Sequence, residues 1–585
     1  MSETNAPARP DPVGLAIIQK QLDYVSTRMG WAMTRTARSP IFSQSHDFSC
    51  FLTDSQGQVI AQADGLPIHS GGGGFAVRAV LAKAETISDG DVFLLSDPYV
   101  AGGNHLPDWT LVRPVFVEET LCGFACNRAH QSDISGGVAG TYNAGATEIF
   151  HEGIRLPVLK LVEKGKVRRD LWDLLLLNTR CPELMDGDLL AMLGSTLVGG
   201  ERLAEIARRL GVDVVRSYFE AVLDAGCAAL RRAIKTLPAG EYSGEDSSDN
   251  NCFEELDVPV KVKLTVKDGE LHFDFTGSAP QSKGFKNSSV ANTHSAVYLA
   301  VAAYFDPSIA RNEGTYRAVS ITAPNGTVVN ANAPAPMTMN TVFPATEIIF
   351  ACWKALAAAD PVRGCAGWSK VAYGVSSGQR RGETYVMYHW HGSPAGGAVN
   401  GRDGFHISGH VTTLGGLTLP NAEEYEHTYP VRIIHQEFRQ DSAGPGKYRG
   451  GAGIDYEVEM LEPSTLTTRS EGVGALVSYG LEGGGSGAGG DVYIRKNGEC
   501  ADTRLPRYGT FQMPSMRLTI LAGGGGGYGD PLARHPDAVV ADVNDGIISK
   551  KAAREIYGCI LTENTKSIDL PATLALRDTL TSPAG

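Results

Sequence analysis

Ile18, Leu22, Val25 and Met29 recur at the spacing of one helical face, and Asp11 followed by Pro12 supplies a cap and a first-turn proline ahead of them. The first element is therefore predicted as a helix whose apolar side docks on the rest of the chain. After Pro40 the period changes to two. Residues 48–53 and 59–63 alternate around Asp54-Ser55-Gln56-Gly57, which reads as a hairpin. Further strands are predicted at 92–95, 110–117 and 123–127, and leucine and alanine periodicity predicts helices over 168–210 and 215–236. Beyond Leu237-Pro238-Ala239-Gly240, strands at 258–266 and 271–275 flank the turn Lys267-Asp268-Gly269-Glu270, and helices follow at 295–305 and 346–359. From about Arg380 the pattern dissolves into short strands and glycine runs, with a small helix at 549–557.

This organisation predicts an α+β protein of several domains, with mixed and largely antiparallel sheets and a helical layer. Residues 1–10 read as a disordered lead, 11–238 as an N-terminal metal-site domain with its helical layer, and 239–380 as a middle α/β domain. The Gly-rich, strand-dominated C-terminal domain spans 381–570, and 571–585 is a tail. No fixed-period repeat is present, which argues against a solenoid.

With 585 residues and 42% hydrophobic side chains the chain can bury more than one core. Its formal charge of −13, without a basic run, argues against a nucleic-acid partner. The most apolar segments, 296–305 and 348–358, are too short for a membrane span, and the proline-rich start lacks the apolar core of a signal peptide. A soluble cytoplasmic protein is expected. The ten cysteines form no framework, so buried free thiols are expected.

Candidate chemistry concentrates in Gly102-Gly103-Asn104-His105-Leu106-Pro107-Asp108 and Asn127-Arg128-Ala129-His130-Gln131-Ser132-Asp133. His105 and Asp108 offer an imidazole nitrogen and a carboxylate oxygen from a single turn, His130 closes a triangle from a neighbouring element, and Asp47 stands at the mouth of a strand as a fourth ligand. That donor set suits a divalent zinc or manganese ion. Histidines 46, 69, 105, 130 and 151 crowd the early part of the chain, which strengthens the metal reading over one of simple turn formers. No P-loop is present. Gly485-Ser486-Gly487-Ala488-Gly489-Gly490 fits a dinucleotide pattern but precedes a strand, and reads as a flexible loop. Gly374-Val375-Ser376-Ser377-Gly378 has nucleophile-elbow spacing but reads as a hairpin turn, and His389-Trp390-His391 reads as two imidazoles on one strand face.

The order of Arg38-Ser39-Pro40, Asp47-Phe48-Ser49, Asp97-Pro98-Tyr99, the two histidine motifs and the segment 147–157, then Asp274-Phe275-Thr276-Gly277-Ser278, Asn312-Glu313-Gly314, Tyr448-Arg449-Gly450-Gly451 and 523–531, resembles the hydantoinase B/oxoprolinase family along nearly the whole chain. The resemblance implies a subunit of an ATP-dependent hydrolase of a cyclic amide: a hydantoin, 5-oxoproline or a lactam. A hydantoinase A-like partner would bind ATP and magnesium and phosphorylate the substrate, giving a hetero-oligomer. By the same resemblance the metal ligands fall on His105, Asp108 and His130 with Asp47 in addition, His151 departs from the family pattern, and Glu148 is the acid/base candidate; in the mechanism this suggests, Glu148 or Asp133 moves protons. Related subunits serve ketone carboxylases, so an ATP-dependent carboxylase is an alternative. A non-catalytic structural subunit and a self-sufficient metallohydrolase are two more.

Overall fold

The computed structural model describes residues 11–581 except 63–64, 475–477, 497–498, 500 and 563–566. The expected lead 1–10 lies outside the described residues. The chain forms two compact units, one made mainly of residues 1–247 and 258–355, the other of 248–257, 356–415 and 419–585. The middle segment expected as a domain of its own thus belongs largely to the first unit. The reason is shared packing: a Cβ at Gly314 would lie 2.3 Å from the Leu223 Cα.

The first unit is built on a seven-stranded antiparallel sheet of β1 (Phe48–Asp54), β2 (Val59–Gln62), β3 (Val92–Leu95), β4 (Asp108–Val117), β5 (Thr120–His130), β6 (Leu159–Glu163) and β7 (Lys166–Val167), in the order β2-β1-β5-β4-β3-β6-β7. Helices cover both faces. α1 (Pro12–Thr36), capped by Asp11, buries Ile18, Leu22, Val25, Met29 and Met33. α2 is Pro40–Ser43, α3 Pro67–Ser70, α4 Gly73–Lys83, α5 Arg169–Leu177, α6 Pro182–Leu210 and α7 Val212–Ile234. Alternation along the strands assigns the faces. Arg113 and Asn127 meet α6, through Thr196 and the Met192 carbonyl. Phe51, Val112, Phe124 and Cys126 share an apolar core with Val77 and Val80 of α4. By the same parity Asp47, Asp108, Arg128 and His130 lie on the α4 side, at one end of three adjacent strands.

A second sheet of β8 (Gly240–Ser248), β9 (Val258–Lys267), β10 (Glu270–Asp274) and β11 (Val319–Thr322) has the order β11-β10-β9-β8, with β10 and β11 parallel. Two buried helices, α8 (Val290–Tyr304) and α9 (Ala345–Ala359), complete the unit.

The other unit has a four-stranded sheet containing β12 (Ala372–Arg380) and β13 (Glu383–Tyr388), and a five-stranded antiparallel one. Its glycine segments are not loose loops. Successive amides of Gly524, Gly525, Gly526 and Gly527 donate to the carbonyls of Ala488, Gly451, Gly367 and Gly485 at 2.8–3.0 Å, so one extended strand is held by three different segments. Such three-directional bonding suits an extended helix with no internal hydrogen bonds. It also corrects the flexible reading of 485–490. The elbow-like 374–378 lies within β12, not at a turn, because the tight turn falls at Arg381, with φ of 54°, and Gly382. The expected tail carries a helix, Leu570–Thr581, tied down by Arg577 to the Tyr557 and Arg534 carbonyls. Among the described residues no helix is long and apolar enough to cross a membrane, and no disulfide joins the nine described cysteines.

Candidate functional site

Strand register brings the predicted ligands together. Asp108 opens β4 directly opposite His130, the last residue of β5. The His130 amide donates to the Asp47 carbonyl at 3.1 Å, which fixes the residue before β1 beside them. His105 enters from the turn ahead of β4, where the Asp108 amide donates to its carbonyl. That turn requires glycine: a Cβ at Gly103 would sit 1.8 Å from the Ser96 carbonyl oxygen. In the resulting group His105 Nε2 lies 2.8 Å from Asp108 Oδ1, and His130 Nδ1 lies 3.2 Å from the same oxygen. One donor atom from each of the three falls within 4.8 Å of the others, and all three residues are buried. Asp47 joins through a histidine absent from the predicted set. His69 Nε2 is 3.3 Å from Asp108 Oδ2 and 3.6 Å from Asp47 Oδ1.

The hydrogen bonding tests whether a cation fits. His105 Nδ1 lies 2.5 Å from the Thr338 carbonyl, which can only accept, so Nδ1 carries the hydrogen. Nε2 then faces the Asp108 carboxylate with a lone pair, a contact that needs a positive centre between the two groups. Either a proton or a metal ion satisfies it, and the donor set is one that zinc and manganese accept. Burial opposes the ionised Asp108, yet His105, with a hydrogen bond from His130, holds its carboxyl well below the usual carboxylate range. Burial also disfavours the imidazolium of His105, but Asp108 lifts its pKa above the ordinary value. For His69 burial prevails and the ring is kept neutral.

Arg128 secures the surrounding loops from within the core. Its guanidinium donates to Thr110 Oγ1, Asn104 Oδ1 and the carbonyls of His69 and Gly102 at 2.7–3.3 Å. Burial lowers its pKa only to about 10, so it remains a cation. Glu152 is the second group that sequence reasoning passed over. Fully buried, it accepts from the Met337 and Thr338 amides at 2.9 and 2.7 Å, and so holds the strand whose Thr338 carbonyl orients His105. Its neighbour His151 and the adjoining glycine were the only sequence signals. Burial raises the Glu152 pKa to about 7. Between pH 4.5 and 7 the folded chain then binds this proton more tightly than the unfolded chain, so stability falls as pH rises through that window, by about 3 kcal/mol. Glu152→Gln is expected to remove that slope, as read from denaturation midpoints of both proteins across the window.

The structure does not bring the other two predicted residues into the group. Glu148 is exposed at the head of a 3-10 turn, where its carbonyl accepts from His151. Asp133 is buried, but its carboxylate accepts from Ser135, Gly140 and the Arg180 amide and guanidinium, a structural clamp on the loop. The pair in His389-Trp390-His391 leaves its strand for a 3-10 turn, and both rings are buried. His389 bonds Ser376 at 2.7 Å and His391 stacks on Tyr456.

Comparison with known proteins covers this architecture end to end. The family model for hydantoinase B/oxoprolinase matches residues 11–531. The caprolactamase beta subunit of Pseudomonas jessenii is 32% identical over 97% of this chain and 99% of its own length. A putative D-/L-hydantoinase B subunit from Pseudomonas sp. (strain NS671) is 31% identical over 97% and 98%. The crystal structure of the ATP-dependent caprolactamase from Pseudomonas jessenii superposes with a TM-score of 0.89 at 30% identity, covering 97% of this chain and 99% of that one. With the histidine and aspartate motifs converging on one buried site and this likeness running over both units, the chain belongs to the hydantoinase B/oxoprolinase family.

Proposed function

We propose that this chain is the water-activating subunit of a cytoplasmic, ATP-dependent hydrolase of cyclic amides. In this reading a hydantoinase A-like partner holds ATP and magnesium and phosphorylates the amide oxygen. The net reaction consumes ATP and water and yields the ring-opened amino acid, ADP and phosphate. The names of the relatives support it, since one is the beta subunit of a caprolactamase and another the B subunit of a hydantoinase. The observation that carries it is the lone pair of His105 Nε2 held 2.8 Å from the Asp108 carboxylate.

His105, Asp108 and His130 would hold the ion, with Asp47 at the edge of the group. When bound, a zinc or manganese ion acidifies water toward neutral pH. The remaining work falls to the chain itself. Amide resonance resists attack until the oxygen is phosphorylated, and water then needs a nearby base. His69, kept neutral by burial and flanked by Asp47 and Asp108, is suited to accept the proton, and Asp108 stabilises the imidazolium that forms. This role passes to His69 from Glu148 and Asp133, which lie outside the group. Arg128 and Glu152 keep the loops in place.

Elemental analysis of the purified chain beside a His105→Ala/His130→Ala double variant tests the reading. Near-stoichiometric zinc or manganese is expected in the first and none in the second, with ATP-dependent lactam or hydantoin hydrolysis lost alongside. Metal and turnover both retained in the variant would overturn it.

A further inference from the structure

We propose that Asn292, Asn340 and Ser295 form the seat for the substrate's ring nitrogen, an extension that rests on the cyclic-amide reading above. α8 is an apolar helix, with Ala291, Ala296, Val297, Leu299, Ala300 and Val301 all buried. Its first two turns nevertheless carry Ser289, Asn292 and Ser295, and none of these is more than 3% exposed. Ser289 faces the loop that presents His105. Ser289 Oγ caps the helix and donates to the carbonyls of Gly103 and Asn104 at 3.2 and 3.0 Å. Asn340 Nδ2 donates to the Asn104 carbonyl at 2.8 Å. Asn292 Nδ2 in turn donates to the Asn340 carbonyl at 2.9 Å and to Ser288 Oγ at 3.0 Å. The three asparagines are thereby linked, and the chain continues from Asn104 straight into His105. Asn340 stands two residues beyond Thr338, whose carbonyl orients the same histidine.

These bonds fix the orientation of both amides. A backbone carbonyl accepts and never donates, so the nitrogens of Asn292 and Asn340 must be the atoms turned toward the protein. Their oxygens point the other way. Asn292 Oδ1, Asn340 Oδ1 and Ser295 Oγ are all buried and have no hydrogen-bond partner among the described residues. Ser295 Oγ packs against the backbone of Gly71 and Gly72, where an added Cβ would come within 3.1 and 3.0 Å of it. Buried polar groups are rarely left unsatisfied, because each costs about 1–3 kcal/mol. Here three unsatisfied groups gather beside the residues that orient a candidate metal ligand.

Their chemistry specifies the occupant. Two carboxamide oxygens are acceptors only, so the group seated against them must bring hydrogens. The buried cation of this neighbourhood, Arg128, spends its guanidinium on Thr110, Asn104 and two carbonyls, which leaves the acceptors to set the polarity. A ring N–H of a lactam or hydantoin fits, and so does the amine it becomes on ring opening. An N-alkylated ring would place carbon against two buried acceptors.

The test is calorimetric titration of the full-length, manganese-loaded chain with ε-caprolactam, hydantoin and N-methyl-ε-caprolactam. The parent rings are expected to bind at least about tenfold more tightly than the N-methyl compound. Asn292→Ala and, separately, Ser295→Ala are expected to narrow that ratio toward one while manganese stays stoichiometric and the ligand-free melting temperature stays near that of the wild type. A purely structural role would leave the ratio unchanged. Equal binding of N-methyl-ε-caprolactam by the wild type, or an unchanged ratio in both variants, would overturn this inference and leave the cyclic-amide reading standing. Failure of the wild type to bind either parent ring would remove the inference together with the reading it rests on.

Discussion

Asp108→Asn is expected to abolish metal retention, weakening affinity by at least about a hundredfold, because one carboxylate serves three histidines. Its Oδ1 meets His105 and His130 and its Oδ2 meets His69, all within 3.3 Å. The carboxamide keeps the shape but removes the negative charge that a cation held by these imidazoles requires. Without the ion the loss also falls on the fold, since His105 keeps its hydrogen on Nδ1 and has no counter-charge for its other nitrogen. Breaking a buried pair in this way costs about 3 to 5 kcal/mol. Elemental analysis and a denaturation curve read the two effects separately. His69→Gln is the informative companion. It is expected to keep the metal, because His105, Asp108 and His130 remain, and to lose ATP-dependent turnover with the partner, because the neutral base is gone. A His69→Gln chain that retained both would remove the base from the mechanism without touching the metal site.

How much of this was legible beforehand follows from where each contact runs. The hairpin of β1 and β2 and the strands β3, β4 and β5 are buried on both faces, so short apolar runs bounded by turn residues exposed them. β8 escaped notice because Gly240–Ser248 is the edge of its sheet and alternates between exposed and half-exposed polar residues, with no apolar face to signal it. His105 and Asp108 share one turn, and their pairing shows in the spacing alone. His69 sits on a single helical turn whose place beside Asp108 is decided by the sheet, so nothing local marks it. Glu152 is further from view: it acts on backbone amides 185 and 186 residues away. Glu148 and Asp133 illustrate the reverse. Both are acidic and close in sequence to the histidines, but one faces solvent and the other is spent on Arg180.

Gly525→Ala is expected to prevent the second unit from folding, a cost of more than about 5 kcal/mol. The glycine runs carry no side-chain pattern, which is why they read as flexible segments, yet their contacts are backbone to backbone. A Cβ at Gly525 would lie 1.9 Å from the Gly396 carbonyl oxygen and 2.4 Å from its carbon. Neither atom can rotate aside as a side-chain tip would. The neighbours are equally tight, with 2.0 Å to the Tyr479 carbonyl oxygen at Gly526 and 2.0 Å to the Pro445 carbonyl oxygen at Gly527. Moving the strand outward by the needed ångström would break bonds to three separate segments at once. Gly401→Ala supplies the control: at φ of 92° with nothing within 4 Å of its Cβ, it meets only local backbone strain, about 1 kcal/mol. Soluble yield and chemical denaturation distinguish the two variants, and hydrogen exchange reads the lattice directly. The amides of 524–527 are expected to exchange as slowly as those of the sheet cores, because each is buried and bonded across segments. Rapid exchange there, or a Gly525→Ala chain as stable as Gly401→Ala, would mean that the runs are the loose loops their composition suggests and that the stability of this unit comes from its sheets alone.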